Sequence, residues 1–441
     1  MSRMLRIELR RSVALGAALI LLITGAIACY AAPGRWSSNW MALAMIEREY
    51  LVLLFPLALA VGAWQGRRES RNGLAELVGS TPRPRPQRVL PIVGALGIAV
   101  TVGYLAVLAV TAPWIAGTAR YLPAAAFAVV AVGILAVVAA AWLGLAVGRL
   151  WPSVAAGPVL AVAGIGWLMG FPGIASGHDW LVVLFSPMYG MNQFSDYETV
   201  SGRLSAAQAV WLGALAVSAY VLHTAKSRRT RVAALLPVAL GVAVAIAVMP
   251  HDGYLPHPID PVAKELVCTT DAPKVCVARV HSTLLPEVTP PARQALALLA
   301  KLPQPPAEAH EDTTTWGPEM PEPRPDPAGI ALMTIQVDRR GHLASPNDLV
   351  PQIVARVLSN PGGRCPDGLS ASVLRAATYW LVGTEPPAEP GFDDGGEWNN
   401  QVRRLWQGLR ELPEAEALAR VAAVREGALN CADLDEIVSG K

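Results

Sequence analysis

The stretch GRRESRNGLAELVGSTPRPRPQRVLP, residues 66–91, separates two long apolar runs and carries six arginines. Around it, the 441-residue chain is 53% hydrophobic and only 16% charged, with a mean hydropathy of +0.38. In soluble globular domains about a quarter of the residues are charged. The composition therefore indicates a membrane protein, with the lipid bilayer as a partner and no nucleic acid.

The two parts of the chain differ in charge. Residues 1–249 hold 19 Lys and Arg against 8 Asp and Glu, a balance of +11, whereas the rest hold 17 against 26, a balance of −9. Prolines number 13 in the first part and 24 in the second. We therefore expect a polytopic α-helical membrane domain with six spans in residues 1–231 and a seventh transmembrane helix at 232–249. A mainly α-helical, water-soluble domain follows at 250–441.

Seven apolar runs are long enough to cross a bilayer, because a spanning helix needs about 20 apolar residues. The first has the position of a signal peptide but is longer, and further spans follow it, so we expect it to be retained. The second is the weakest, since Glu47, Arg48 and Glu49 lie at its start. The runs are residues 13–32, 47–65, 89–112, 123–148, 154–171, 206–223 and 232–249.

Basic residues orient these spans, because Lys and Arg beside a span resist translocation. One set of ends and loops holds 15 of them and the alternate set holds 4. We therefore expect a cytoplasmic N-terminus, seven crossings of the cell membrane and an extracytoplasmic C-terminal domain. The larger set is Arg3, Arg6, Arg10, Arg11, Arg67, Arg68, Arg71, Arg83, Arg85, Arg88, Arg149, Lys226, Arg228, Arg229 and Arg231, and the smaller is Arg35, Arg48, Arg120 and Arg203.

Four of the five cysteines fall in the domain expected outside the cell. An even number of cysteines in an oxidising compartment favours disulfides. Of the three pairings that four cysteines allow, we favour Cys268 with Cys276 and Cys365 with Cys431. A zinc site is the alternative, but the spacing contains no CxxC pair.

Within the opening stretch, Glu69 to Val78 has the periodicity of a short amphipathic helix. Leu74, Leu77 and Val78 share one face, Gly79 is placed to end the helix, and the prolines after it forbid its continuation. Periodicity alone is equally compatible with a solvated cytoplasmic loop.

The spacing of particular residues resembles the coupling-helix region of ABC-2 type transporter permeases, in which this segment lies between the second and third spans. That region has an acidic residue, then Gly-x-x-Glu-Leu, then Thr-Pro followed by a basic residue. The start of the chain, MSRMLRIELRRS, likewise resembles the interface helix of that family. The coupling residues that the resemblance implies are Arg68, Glu69, Arg71, Gly73, Leu74, Glu76, Leu77, Thr81, Pro82 and Arg85.

The resemblance implies partners and a function. The coupling helix of such a permease rests in a groove of a cytoplasmic ATP-binding-cassette ATPase, and two permease halves, identical or paralogous, line one path for export. This chain contains no G-x-x-x-x-G-K-[ST] segment to hold nucleotide phosphates, so we expect a separate ATPase subunit and no enzymatic activity here. The alternative is a membrane sensor or scaffold that does not transport and whose outer domain is a binding module.

Charges are scarce within the runs: His223, Glu47 and Glu49 lie near their ends, which argues against an ion-coupled carrier. Residues 172–205 fit either the re-entrant segment that the family has between its fifth and sixth spans or a plain outer loop. The run LVVLF inside them is too short to cross a bilayer.

The C-terminal part contains no catalytic, metal or cofactor motif. His310-Glu311 begins like a zincin motif, but Thr314 stands where H-E-x-x-H needs its second histidine. His281 is a lone histidine and is read as structural. We expect helices near residues 291–302, 347–359, 369–382, 397–411 and 414–427, a strand in GIALMTIQVD with a turn at 339–341, and a linker or extended arm at 303–328.

Overall fold

The computed structural model describes two compact units, Met1–Asp260 and Pro261–Lys441. The first is referred to below as the membrane unit and the second as the C-terminal unit. The structure describes residues 8–9, 13–68, 85–193, 195–249, 257–315, 326–359, 365, 369–389 and 396–439.

The membrane unit is helical throughout its described core. Two features depart from simple spans: α2 and α3 follow each other with only Tyr50 between them, and α7 is a helix of seven residues. The helices are α1 Ala14–Ala31, α2 Trp40–Glu49, α3 Leu51–Gly66, α4 Arg85–Ile115, α5 Ala124–Leu150, α6 Ala156–Ile174, α7 Asp179–Phe185, α8 Gly202–Thr224, α9 Arg228–Ala233 and α10 Leu235–Val248.

Six helical segments in the described part of the chain are long and apolar enough to cross a membrane. They are α1, α4, α5, α6, α8 and the stretch Arg228–Val248, which joins α9 to α10. Large apolar side chains lie exposed along α1, α6 and α10, among them Ile27, Val162 and Leu240. Exposed apolar faces of this kind suit lipid rather than water. The architecture is that of a polytopic helical membrane protein.

The second predicted run, 47–65, corresponds to α3, which is apolar but only 16 residues long. Its charged start belongs to α2 instead. The backbone continues through the junction, because the Tyr50 amide donates to the Ile46 carbonyl at 3.0 Å and the Leu54 amide donates to the Tyr50 carbonyl at 3.0 Å. The α2–α3 pair therefore forms one nearly continuous length of helix.

Helix α5 lies at the centre of the membrane unit and packs against α2, α3, α4 and α8. Its contact with α3 is made by glycines on both helices, spaced four residues apart. A Cβ atom on Gly144 would lie 2.1 Å from the Leu59 carbonyl oxygen, and one on Gly62 would lie 2.1 Å from the Ala141 carbonyl oxygen. The two backbones therefore touch directly, as small-xxx-small pairs allow in membrane helices. Gly66 and Gly148 repeat the contact one turn along.

The membrane unit ends later than the sequence predicts. Its boundary falls after Asp260 rather than after residue 249. The reason is a short pairing of main chains: the Thr199 amide donates to the Pro258 carbonyl at 2.9 Å, and the Asp260 amide donates to the Tyr197 carbonyl at 2.8 Å. Residues 257–260 therefore belong to the membrane unit.

The C-terminal unit combines helices with a small mixed sheet. All five predicted helices are present, within a few residues of their expected bounds except at the start of α12. The elements are α11 Pro261–Lys264, β1 Leu266–Cys268, β2 Val275–Ala278, α12 Leu285–Leu299, β3 Glu308–Glu311, β4 Ile330–Met333, α13 Pro346–Leu358, α14 Ala371–Val382, α15 Glu397–Glu411, α16 Glu414–Leu429 and α17 Leu434–Ser439.

The sheet has the order β1-β2-β3-β4, with β1 antiparallel to β2 and the other neighbours parallel. One face of the sheet packs on α12 and α13 and contributes Val275, Val277, Ala309, Ala331 and Met333 to the core. The sequence predicts a linker or extended arm at 303–328, and this prediction is wrong for Glu308–Glu311. These residues form β3, which lies between β2 and β4 in the sheet. Only β4 and the turn after it, where the Gly341 amide donates to the Asp338 carbonyl, match the sequence prediction.

The α3–α5 contact predicts unequal effects of one substitution at two glycines of the membrane unit. Gly144→Ala places a methyl group against the Leu59 backbone and should lower the free energy of unfolding by about 1–3 kcal/mol. Gly166→Ala is the control, since among the described residues no atom beyond its own stretch of helix backbone lies within 4 Å of its Cβ position, and alanine favours helix. Thermal unfolding in detergent measures both. A Gly144→Ala protein as stable as the wild type would contradict the close packing.

Candidate functional site

The predicted coupling residues fall mostly outside the described part of the chain. Residues 69–84 are not among those described, which covers Glu69, Arg71, Gly73, Leu74, Glu76, Leu77, Thr81 and Pro82. The two flanking members are described: Arg68 lies just beyond the end of α3, and Arg85 is the first residue of α4. The coupling helix itself stays a prediction.

Arg68 connects the start of this segment to the N-terminal segment. Its Nη1 atom lies 3.2 Å from Oε2 of Glu8. Both side chains are partly exposed, and an exposed ion pair contributes little to stability. The contact is informative about position: it brings residue 8 to the cytoplasmic end predicted for α3.

The best-defined polar site of the membrane unit surrounds the C-terminal end of α7. The last carbonyl groups of a helix have no partner within the helix and need donors from elsewhere. Three side chains from α6 and α8 supply them here. Gln208 Nε2 donates to the Val183 carbonyl at 2.7 Å, Trp211 Nε1 to Leu184 at 2.9 Å, and Trp167 Nε1 to Phe185 at 3.2 Å.

Arg48 of α2 completes this arrangement. Its Nε atom donates to the Pro187 carbonyl at 2.8 Å, and its Nη2 atom donates to Oε1 of Gln208. Arg48 and Gln208 are both fully buried. We call Arg48, Trp167, Gln208 and Trp211 the α7 collar. It joins α2, α6 and α8 around one short helix.

Glu47 lies beside Arg48 and is enclosed just as completely, with none of its surface exposed. Neither of its carboxylate oxygens, nor the buried hydroxyl of Tyr104 on α4, has a hydrogen-bond partner among the described residues. The sequence identifies Glu47 only as a residue near a span end, and the structure adds that it is buried. Glu49, by contrast, is partly exposed and pairs with Arg35 at 2.6 Å.

The segment between α6 and α8 contains a buried helix, α7. Val182, Val183 and Leu184 of α7 are buried, which a solvated loop would not allow. The chain after α7 is tied to the start of α2, where Asn39 caps the helix by accepting from the Ala42 amide and donates to Oδ1 of Asp196 at 2.9 Å. Between residues 182 and 200 the segment is therefore largely packed into the bundle, whereas residues 173–179 before it are mostly exposed.

Both predicted disulfides are present. Cys268 and Cys276 lie directly opposite each other on β1 and β2, and Cys365 bonds Cys431 across 66 residues of sequence. Cys29, in α1, is a free and buried thiol. The pairing in the structure is therefore the one that the sequence favours.

His281 and His310 of the C-terminal unit lie on opposite sides of the sheet. Glu311 points into the core, where its Oε1 atom lies 2.6 Å from His281 Nδ1 and its Oε2 atom accepts from the Ala278 amide at 2.6 Å. This buried pair connects β3 to the chain after β2, in keeping with the structural role expected of His281. His310 faces the other side of the sheet, and His310 and Glu311 both lie on strand β3 rather than on the helix that a zincin motif needs.

No family model, curated protein or solved structure matches the chain. Functional inference therefore depends on its own residues.

Several of these features were missed in the sequence. The Gly62/Gly66 and Gly144/Gly148 spacings were readable as small-xxx-small pairs. The collar was not, because its donors come from three separate helices and all but one of its acceptors are backbone carbonyls.

The collar predicts opposite results for two neighbouring residues. Arg48→Leu leaves the Pro187 carbonyl and the Gln208 side chain without their donor, and should lower the free energy of unfolding by about 2–4 kcal/mol. Glu47→Leu removes a buried carboxylate and should leave stability unchanged or raise it. Thermal unfolding of the two detergent-purified variants measures the difference. Equal losses of stability in the two variants would contradict the inference that the hydrogen bonds of Arg48 stabilise the fold.

Proposed function

We propose that the chain is the membrane-spanning permease subunit of an ABC-2 type exporter and couples a separate cytoplasmic ATPase to substrate export. The observation that carries the proposal is α7, a short buried helix held by the collar between α6 and α8. The resembling family has its re-entrant segment at this place, between the fifth and sixth spans. A loop without function would need neither burial nor four side-chain donors.

The order of the other elements supports the same proposal. The N-terminal segment precedes α1, the coupling residues follow α3, and α7 comes after α6, which is the order of the family's interface helix, coupling helix and re-entrant segment. The Glu8–Arg68 contact agrees with an interface helix lying near the coupling segment. The stretch Arg228–Val248 and the C-terminal unit are additions to that pattern.

The contacts offer a route for force from the ATPase to α7. A coupling helix at residues 69–78 would follow the end of α3 almost directly. Helix α3 cannot slide independently of α5, because their backbones interlock at Gly62 and Gly144. At its other end α3 continues into α2, whose Arg48 binds the carbonyl after α7. Movement at the coupling segment would therefore reach the collar through two rigid helices.

Orientation follows from the basic residues. We infer that the N-terminus and the loop after α8 are cytoplasmic and that the C-terminal unit lies outside the plasma membrane. The 15-to-4 distribution of Lys and Arg supports this assignment. The two disulfides of the C-terminal unit support it independently, since disulfides persist in oxidising compartments.

Changing the coupling residues tests the ATPase partnership. Glu76→Ala combined with Leu77→Arg removes a charged contact and the apolar foothold, and should reduce the amount of ATP-binding-cassette ATPase that co-purifies by roughly ten-fold, or about 1.4 kcal/mol of binding. Arg229→Ala, at an exposed position in α9 on the same predicted side, is the matched control and should retain the ATPase.

An unchanged ATPase yield in the double variant would count against the coupling role. A second arm separates a working exporter half from a sensor or scaffold. In lipid vesicles the wild-type complex should hydrolyse ATP faster than the ATPase alone, whereas a scaffold would bind the ATPase without stimulating it.

Cysteine labelling tests the orientation. Ser439→Cys should react with a membrane-impermeant maleimide on intact cells, and Arg229→Cys should react only after the membranes are opened. Background labelling should be low, because Cys29 is buried and the other four native cysteines are in disulfides. Labelling of Arg229→Cys but not Ser439→Cys on intact cells would reverse the topology.

A further inference from the structure

Four metal-ligating side chains line up across three strands of the C-terminal unit. Cys268 on β1 is the pairing partner of Cys276 on β2, and Cys276 is the partner of His310 on β3. Residues paired in this way point to the same face of a sheet. Glu308, two residues before His310, shares that face, and its Oε2 atom lies 2.9 Å from His310 Nε2.

The donor atoms are close enough to share one ion. The Cys276 sulfur, a Glu308 carboxylate oxygen and a His310 ring nitrogen all lie within 4.8 Å of one another. The Cys268 sulfur is bonded to that of Cys276 and is therefore adjacent to the same point. Two sulfurs, one imidazole and one carboxylate are a donor set that Zn²⁺ accepts in tetrahedral geometry.

We propose that reduction of the Cys268–Cys276 disulfide converts this row into a zinc site formed by Cys268, Cys276, Glu308 and His310. In the disulfide neither sulfur is a thiolate, so the metal and the disulfide exclude each other. The C-terminal unit then exists in two states: one in which a covalent bond joins β1 to β2, and one in which a metal ion joins β1, β2 and β3. The proposal concerns the C-terminal unit alone and does not depend on ATPase coupling.

The conversion needs a dithiol reductant. The reductant breaks one sulfur–sulfur bond, supplies two electrons and two protons, and leaves as its own disulfide, while Cys268 and Cys276 become thiols. Zn²⁺ then displaces the two thiol protons to water and binds two thiolates, the Glu308 carboxylate and the neutral His310 ring.

The surface allows a reductant to reach the bond. Cys268 is exposed, whereas Cys276 is 1% exposed, so attack is directed at the Cys268 sulfur. A cavity of about 460 Å³ opens beside Cys268 and is lined by Thr269, Asp271 and Pro286 among others. The His310 side chain keeps 17% of its surface exposed, which leaves a path for the ion.

The test uses the full-length protein in detergent, with and without a dithiol that is then removed. Each sample is incubated with Zn²⁺, desalted and assayed for bound metal, and Co²⁺ in its place reports tetrahedral thiolate ligation by its absorption. Reduced wild-type protein should hold about one Zn²⁺ per chain that the oxidised protein lacks.

Variants at His310 test whether the four aligned side chains form the zinc site. His310→Ala should weaken zinc binding roughly ten-fold or more, and His310→Cys should restore it because it supplies another soft ligand. Cys365→Ser combined with Cys431→Ser is the matched control, since it removes the other disulfide and should leave zinc binding unchanged.

Three results would overturn the proposal. They are no extra zinc in the reduced wild type, equal zinc in wild type and His310→Ala, or loss of zinc in the Cys365/Cys431 double variant. The His310→Cys protein keeps the test valid if His310→Ala does not fold.

Discussion

The direct backbone contact between α3 and α5 is the constraint on which the membrane unit depends. Lipid provides no hydrophobic drive for helices to associate, so they associate through close packing and hydrogen bonds. Gly62, Gly66, Gly144 and Gly148 make the closest packing available. Helix α5 also contacts α2, α4 and α8. The contact between α3 and α5 therefore sets the position of the bundle relative to the segment that follows α3.

Much of the architecture could be predicted from local pattern. The apolar runs predicted the long helices, and the helix predicted at residues 397–411 begins and ends where α15 does. The strands were mostly missed for a physical reason. Strands of three or four residues are too short to show an alternating pattern, and β3 lies in a proline-rich stretch that reads as a linker. Their packing against α12 and α13 is a tertiary effect that no local pattern records.

The candidate site was less predictable than the fold. Glu47 and Arg48 stand at the start of an apolar run, and in a sequence such a charged pair indicates the end of a span. Only the packing of α2 against α5 shows that both side chains are buried. The cysteines were predictable in pairing because their spacing limits the choices. Their alignment with His310 was not, since it depends on the register of β2 with β3.

The pairing of residues 257–260 with 197–199 determines how the chain leaves the membrane unit. The C-terminal unit starts from a point hydrogen-bonded to the segment after α7, and not from the free end of a helix. A fragment meant to isolate the membrane part should accordingly extend through Asp260. One cut after residue 249 would strip partners from the main chain of Tyr197 and Thr199 and loosen the segment that the collar holds.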